Sequence, residues 1–169
     1  MKLYPYPAVA LLFIGMLFFQ TSCKKAPQGY NAKAQFNTDT KLIQNYLSQH
    51  NLTAQQDPAT EIFFHIDSLG SGISPAINDT VSVIYSGILL NGTTVVSSDT
   101  VQTGPLIASS TPYLYNSWSI CLPFIKVGGG ITIYAQSFFS LQDQGTLVVP
   151  ANSVLIFHVN LVAVKKFNG

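Results

Sequence analysis

The chain has 169 residues, 47% of them hydrophobic and 12% aromatic, which is enough apolar material for one core of ordinary domain size once a targeting segment is set aside. Charged residues make up only 9%, arginine is absent, and eight lysines stand against seven acids for a formal net charge of +1. So weakly charged a surface cannot track a phosphate backbone, and no nucleic-acid partner is expected.

The first 22 residues carry one cation at Lys2, an apolar stretch from Ala8 to Phe19, and the small polar pair Thr21-Ser22 directly before Cys23. That order is the order of a secretion signal. Its apolar stretch falls short of the roughly 20 residues that cross a bilayer, which makes a permanent transmembrane helix the weaker reading. Phe19-Gln20-Thr21-Ser22-Cys23 resembles a bacterial lipobox, whose cysteine becomes the lipidated first residue of the mature protein; Gln20 stands where an apolar residue is usual. The resemblance implies a signal peptide over 1–22, lipidation of Cys23, and a place in the cell envelope. The membrane contact would be made by acyl chains at about 0.8 kcal/mol per buried methylene. Cleavage with release is the alternative. No acid follows Cys23, which by analogy with other lipoproteins implies the outer membrane. Residues 23–37, polar and containing Pro27 and Gly29, read as a flexible tether.

Asp39 precedes Leu42, Ile43, Tyr46 and Leu47 at helical spacing, which predicts an amphipathic helix capped by that acid and ending near Asn51, with His50 serving its C-terminus. From Glu61 to Asp67 the period changes to two, with Ile62, Phe64 and Ile66 on one face and His65 on the other; Gly70 and Gly72 break it. A strand is predicted over Thr80 to Leu90 with Val81, Val83, Tyr85 and Leu89 inward, turning at Asn91-Gly92 into a return strand over Thr93 to Ser97. A loop follows. Leu114, Trp118, Leu122 and Ile125 then predict a short helix within Tyr113 to Val127, stopped by Gly128-Gly129-Gly130. Strands close the chain at Ile131 to Tyr134 and Ser153 to Val164. Cys121, between Ile120 and Leu122, reads as a small buried hydrophobe, unbonded to Cys23. The sum is α+β: an antiparallel sheet wrapped around one short helix, behind an accessory N-terminal helix. An extension over 38–75 and a main domain over 76–169 are expected.

Val83-Ile84-Tyr85-Ser86-Gly87, Asn91-Gly92, Ser97-Ser98, Trp118, Lys126-Val127-Gly128, Val149-Pro150 and Val154-Leu155-Ile156-Phe157 follow one another in the order and spacing of the FKBP-type peptidyl-prolyl isomerases, which this chain resembles over most of Thr80 to Val164. The resemblance implies catalysis by Tyr85, Trp118 and Phe157 lining a proline-binding cup, with Trp118 beneath the ring. Val95, Val96, Leu114, Tyr115, Leu141 and Val149 would stand around it. It implies proline-containing polypeptide segments as substrate, no cofactor, and a monomer. Three departures stand out. Val95-Val96 occupies the positions of an aromatic and an acid, Leu141 that of a tyrosine which bonds the bound carbonyl, and Tyr115 that of an aliphatic rim residue. Weak isomerisation is therefore expected, with a non-catalytic module that binds proline segments as the alternative. A hydrolase or metal enzyme is disfavoured: there is no Gly-x-Ser-x-Gly elbow, and His50, His65 and His158 are far apart in sequence without ligand spacing.

Overall fold

A computed structural model of the chain describes residues 30–106 and 116–168. The first helix, α1 (Ala32–Gln49), opens at Asn31, whose φ of −105° is extended and whose Oδ1 accepts the Ala34 N–H at 3.0 Å. The helix thus begins inside the stretch expected to be a tether, and Asp39 is a mid-helix residue rather than the cap. Ala32 and Ala34 favour helix, but the apolar stripe on which a sequence reading depends starts only later. At the other end the expectation for His50 holds: its Nδ1 donates to the Tyr46 carbonyl at 2.9 Å and its ring stacks on Tyr46.

The strands are β1 (Gln55–Gln56), β2 (Phe63–Ser68), β3 (Thr80–Leu89), β4 (Thr94–Pro105), β5 (Gly130–Ala135) and β6 (Leu155–Lys165). They form one six-stranded sheet in the order β1-β2-β5-β6-β3-β4, every pairing antiparallel. The second helix, α2 (Asn116–Cys121), runs into a 3-10 turn over Leu122–Phe124. It ends there, short of the expected Val127, because Pro123 supplies no N–H to a continuing ladder and Ile125 is extended. The return strand, in contrast, runs past Ser97 to Pro105, so most of the expected loop is strand. Gln102 to Pro105 pair with Val83 to Thr80, after an irregularity opposite Ile84 that a pattern of Ser, Thr and Gly does not announce.

Both faces of the sheet carry buried residues. Val81, Val83, Ile131, Ile133, Leu155, Phe157, Val159 and Leu161 pack with Trp118, Cys121, Leu122 and Ile125 from the α2 side. Phe63, Tyr134, Val154 and Ile156 point the opposite way and are covered by Ile43 and Leu47 of α1. Period two thus holds along β2, with Ile62 and Phe64 on the first face and Phe63 on the second, and β5 is buried along its whole length. Because β2 lies between β1 and β5, the sheet runs without a break across the expected division between residues 75 and 76.

Turns obey backbone limits. The β3–β4 hairpin closes at Asn91-Gly92 with the Gly92 N–H on the Leu89 carbonyl at 2.9 Å, and Gly92, at φ +85°, adopts the left-handed conformation while Asn91 does not. Gly70, at φ +76°, lies where an added Cβ would stand 2.5 Å from the Lys126 carbonyl oxygen. That close approach lets Lys126 and Val127 bond back to Leu69 and Ile73, which fixes the chain after α2.

Candidate active site

Alternation along β3 sends Tyr85 to the α2 side, and alternation along β6 sends Phe157 there too, while the helical turn through Ser117 to Cys121 lays Trp118 between them. The three rings meet. The Tyr85 and Trp118 centroids are 4.7 Å apart at an interplanar angle of 74°, and those of Trp118 and Phe157 are 5.8 Å apart at 89°. Both are edge-to-face geometries, which satisfy the ring quadrupoles. Trp118 is 1% exposed and Phe157 0%, so they form a floor, whereas half-buried Tyr85 reaches the surface.

Gly87 makes this meeting possible. It faces Val96 on β4 and Phe157 on β6, and a Cβ at its position would lie 2.7 Å from Val96 Cγ1 and 3.1 Å from Phe157 Cε1. The β3–β4 register shifts between Gly87 and Ile88, so that Val95 is an extra residue and both Val95 and Val96 pack against the central cluster. Leu141 packs on the same cluster, half-buried, and Val149 is buried within it. Of the six expected pocket residues outside the three rings, four, Val95, Val96, Leu141 and Val149, share one apolar neighbourhood with the aromatic floor. Leu114 and Tyr115, like the leader and Cys23, lie outside the described residues.

The side chains at 96 and 141 are aliphatic and turned into the cluster, so neither offers a carboxylate or a phenol to a ligand. Nearby Cys121 is free and fully buried, as expected, and burial pushes its thiol well above the usual range, which makes it a packing residue and not a nucleophile. What the described residues bring together there is a buried apolar cluster with an aromatic floor, of whose three rings Tyr85 is the one that reaches the surface.

Sequence reasoning missed two features. Asp39 is fully buried and accepts hydrogen bonds from the backbone N–H and hydroxyl of Ser137, 98 residues away. Only an unusual acid on an otherwise apolar helix face signalled it. On the outer face, His65 and His158, remote in sequence, flank Thr132 in a single row across β2, β5 and β6. The Thr132 hydroxyl lies 2.9 Å from His158 Nδ1 and donates to the Asp67 carboxylate, beside a recess of about 310 Å³. No group of three or more His, Cys, Asp or Glu side chains among the described residues is arranged to hold a metal ion.

A family model described as FKBP-type peptidyl-prolyl cis-trans isomerase matches residues 72–162. The peptidyl-prolyl cis-trans isomerase Mip of Coxiella burnetii is 34% identical over 109 residues, covering 64% of this chain and 46% of that protein. FkpA of Aeromonas hydrophila, an FKBP-type isomerase, is 29% identical over 103 residues, covering 61% and 38%. The crystal structure of FkpA from Escherichia coli superposes with a TM-score of 0.64 at 24% identity, covering 79% of this chain and 62% of that one. A peptidyl-prolyl isomerase structure from Pseudomonas syringae gives 0.63 at 18%, covering 82% and 99%. At these identities the structures speak for the fold alone. The chain spans less than half the length of the first curated relatives it matches.

Proposed function

The chain belongs to the FKBP-type peptidyl-prolyl cis-trans isomerase family, and we propose that it isomerises X-Pro bonds in other polypeptides, slowly, from a lipid-anchored position in the cell envelope. The observation that carries this reading is the convergence of Tyr85, Trp118 and Phe157. Rotation about a peptide bond has a barrier of about 18–20 kcal/mol because resonance holds the amide planar, and unaided X-Pro exchange takes tens to hundreds of seconds. At the twisted midpoint that resonance, and the charge separation it maintains, is lost. A dry aromatic hollow receives the pyrrolidine ring and favours the less polar, twisted amide over either planar form, which is differential binding of the transition state. No nucleophile, metal or cofactor takes part.

Slow turnover follows from Val96 and Leu141. A carboxylate and a phenol at those positions would orient the amide, and each engaged hydrogen bond is worth about 1–3 kcal/mol when buried. Without them the cup is left to bind mainly by shape and apolar contact. The same two residues favour the second reading, a module that holds proline segments without turning them over. Cys23 would carry the acyl chains, and the domain would act as a monomer. No helix among the described residues is long and apolar enough to cross a membrane.

The test is refolding of a protein limited by proline isomerisation, with the mature domain added at rising concentration. Acceleration of the slow phase in proportion to the domain supports catalysis. A slow phase that stays constant while proline peptides still quench or shift Trp118 fluorescence supports the binding module, and neither response removes both readings.

A further inference from the structure

We infer that Asp39 is a positioning residue for the cup, through which the N-terminal helix sets the loop carrying Leu141 and Val149; this rests on the cup being the peptide site. Asp39 is 0% exposed. Its Oδ1 accepts from Gln35 Nε2 at 2.7 Å on its own helix, and its Oδ2 accepts from the Ser137 N–H at 2.8 Å and the Ser137 hydroxyl at 2.5 Å. A buried carboxylate is tolerable when several donors surround it, and its removal would leave two buried donors of Ser137 without an acceptor.

Ser137 passes the restraint on. Its carbonyl accepts from the Ser140 N–H at 3.0 Å and from the Gln142 N–H at 2.8 Å, the two residues on either side of Leu141. Gln142 has φ +50°, a left-handed conformation disfavoured for a residue with a Cβ, so these bonds hold it against its own preference. The Gln142 carbonyl in turn accepts from the Asn152 N–H at 2.7 Å, while Thr146 and Val149 bond each other through the Val149 carbonyl at 2.7 Å and the Thr146 hydroxyl at 3.0 Å. Gln136, fully buried beside Ser137, adds a second attachment by donating to the Glu61 carbonyl at 2.9 Å. A continuous path of hydrogen bonds therefore runs from α1 to both backbone neighbours of Leu141. Loss of the Asp39 acceptor frees Ser137, lets Gln142 relax from φ +50°, and shifts Leu141 relative to Trp118.

Three variants separate positioning from plain stabilisation. Asp39→Ala removes the acceptor, Asp39→Asn keeps a carbonyl oxygen, and Ile43→Ala removes fully buried packing from the same helix without touching Ser137. Each is measured for proline-peptide affinity by Trp118 fluorescence, for thermal midpoint, and for amide exchange at Ser140 and Gln142 by NMR. The expected result is a loss of affinity of at least about tenfold and loss of protection at both amides in Asp39→Ala. Ile43→Ala should lower the midpoint comparably with affinity and protection retained, and Asp39→Asn should recover most of both. Equal affinity losses in Asp39→Ala and Ile43→Ala at matched midpoints, or amides still protected in Asp39→Ala, overturn the inference. If Asp39→Ala does not fold, Ser137→Ala takes its place: it deletes the hydroxyl donor and keeps the N–H bond to Asp39, so partial loss of protection at Ser140 and Gln142 supports the inference and an unchanged pattern counts against it. A wild-type domain that binds no proline peptide counts against the proposed function, while the exchange measurement still decides the clamp.

Discussion

Substitution of Gly87 by alanine tests how tightly the aromatic floor is assembled. Against the roughly 3.5 Å at which two carbons rest without repulsion, a methyl group 2.7 Å from Val96 Cγ1 and 3.1 Å from Phe157 Cε1 is too close by about 0.8 Å and about 0.4 Å. Phe157 is fully buried and fixed between Trp118 and the strand ladder, so Val96, half-buried on the edge strand, must give way. Overpacking of this kind costs about 1–3 kcal/mol. Val96→Ala alone deletes two partly buried methyls and should cost about 1 kcal/mol at roughly 0.8 kcal/mol per fully buried methylene. In the double variant the deleted methyl is the one that clashes, so the two costs do not sum: the pair should be at least about 1 kcal/mol more stable than additivity allows, beyond the roughly 0.3–0.5 kcal/mol scatter of independent sites. Urea unfolding read by Trp118 fluorescence measures all four corners of the cycle. Additive losses would show that Gly87 is not where β3, β4 and β6 are brought together, and the account of the floor would fail with it.

Restoring polar groups to the cup, Val96→Asp with Leu141→Tyr, should raise isomerase activity by about tenfold or more in a proline-peptide assay; an unchanged rate would argue that these positions do not face the amide. At the C-terminus, Asp79 accepts from Lys166 Nζ at 2.8 Å, from the Ala76 N–H and from the Phe167 N–H, and these bonds, that to Lys166 foremost, hold its carboxyl down at about 2. Because this value lies below the ordinary carboxylate range, the stabilisation is present above pH 4 and is lost as the pH falls through about 2. Lys166→Ala should therefore lower the thermal midpoint at pH 7, with the gap from wild type closing as acid is added; a gap independent of pH would refute the pairing. Cys121 should react with a thiol reagent only as fast as the protein opens, so its modification should follow urea concentration. Rapid labelling of the native state would contradict its burial.

Much of this architecture could be read from residue order because strand alternation and burial coincide. Val81, Val83 and Tyr85 share a face, as do Leu155, Phe157 and Val159, and Trp118, Leu122 and Ile125 keep helical spacing onto the same core. The aromatic floor follows from those three patterns. Other features leave no periodic trace. The first turns of α1 rest on Asn31 and alanines, and the far half of β4 lies past an irregular pairing that only its partner strand defines. Asp39 looks like a cap because an acid before an apolar run usually is one, and its true partner lies 98 residues away. The row formed by His65, Thr132 and His158 depends on register across three strands, which no spacing within one segment encodes.

The sheet order gives the last strand a special place. β6 sits between β5 and β3, so without it β1-β2-β5 and β3-β4 are separate ribbons, each with an open edge. A chain emerging from the ribosome N-terminus first can make α1 and the β3–β4 hairpin early, but it cannot join the ribbons until Leu155–Lys165 has been made. The joining of the two ribbons therefore waits for this strand. Truncation just before Leu155 would remove the keystone of the whole assembly, not merely a tail.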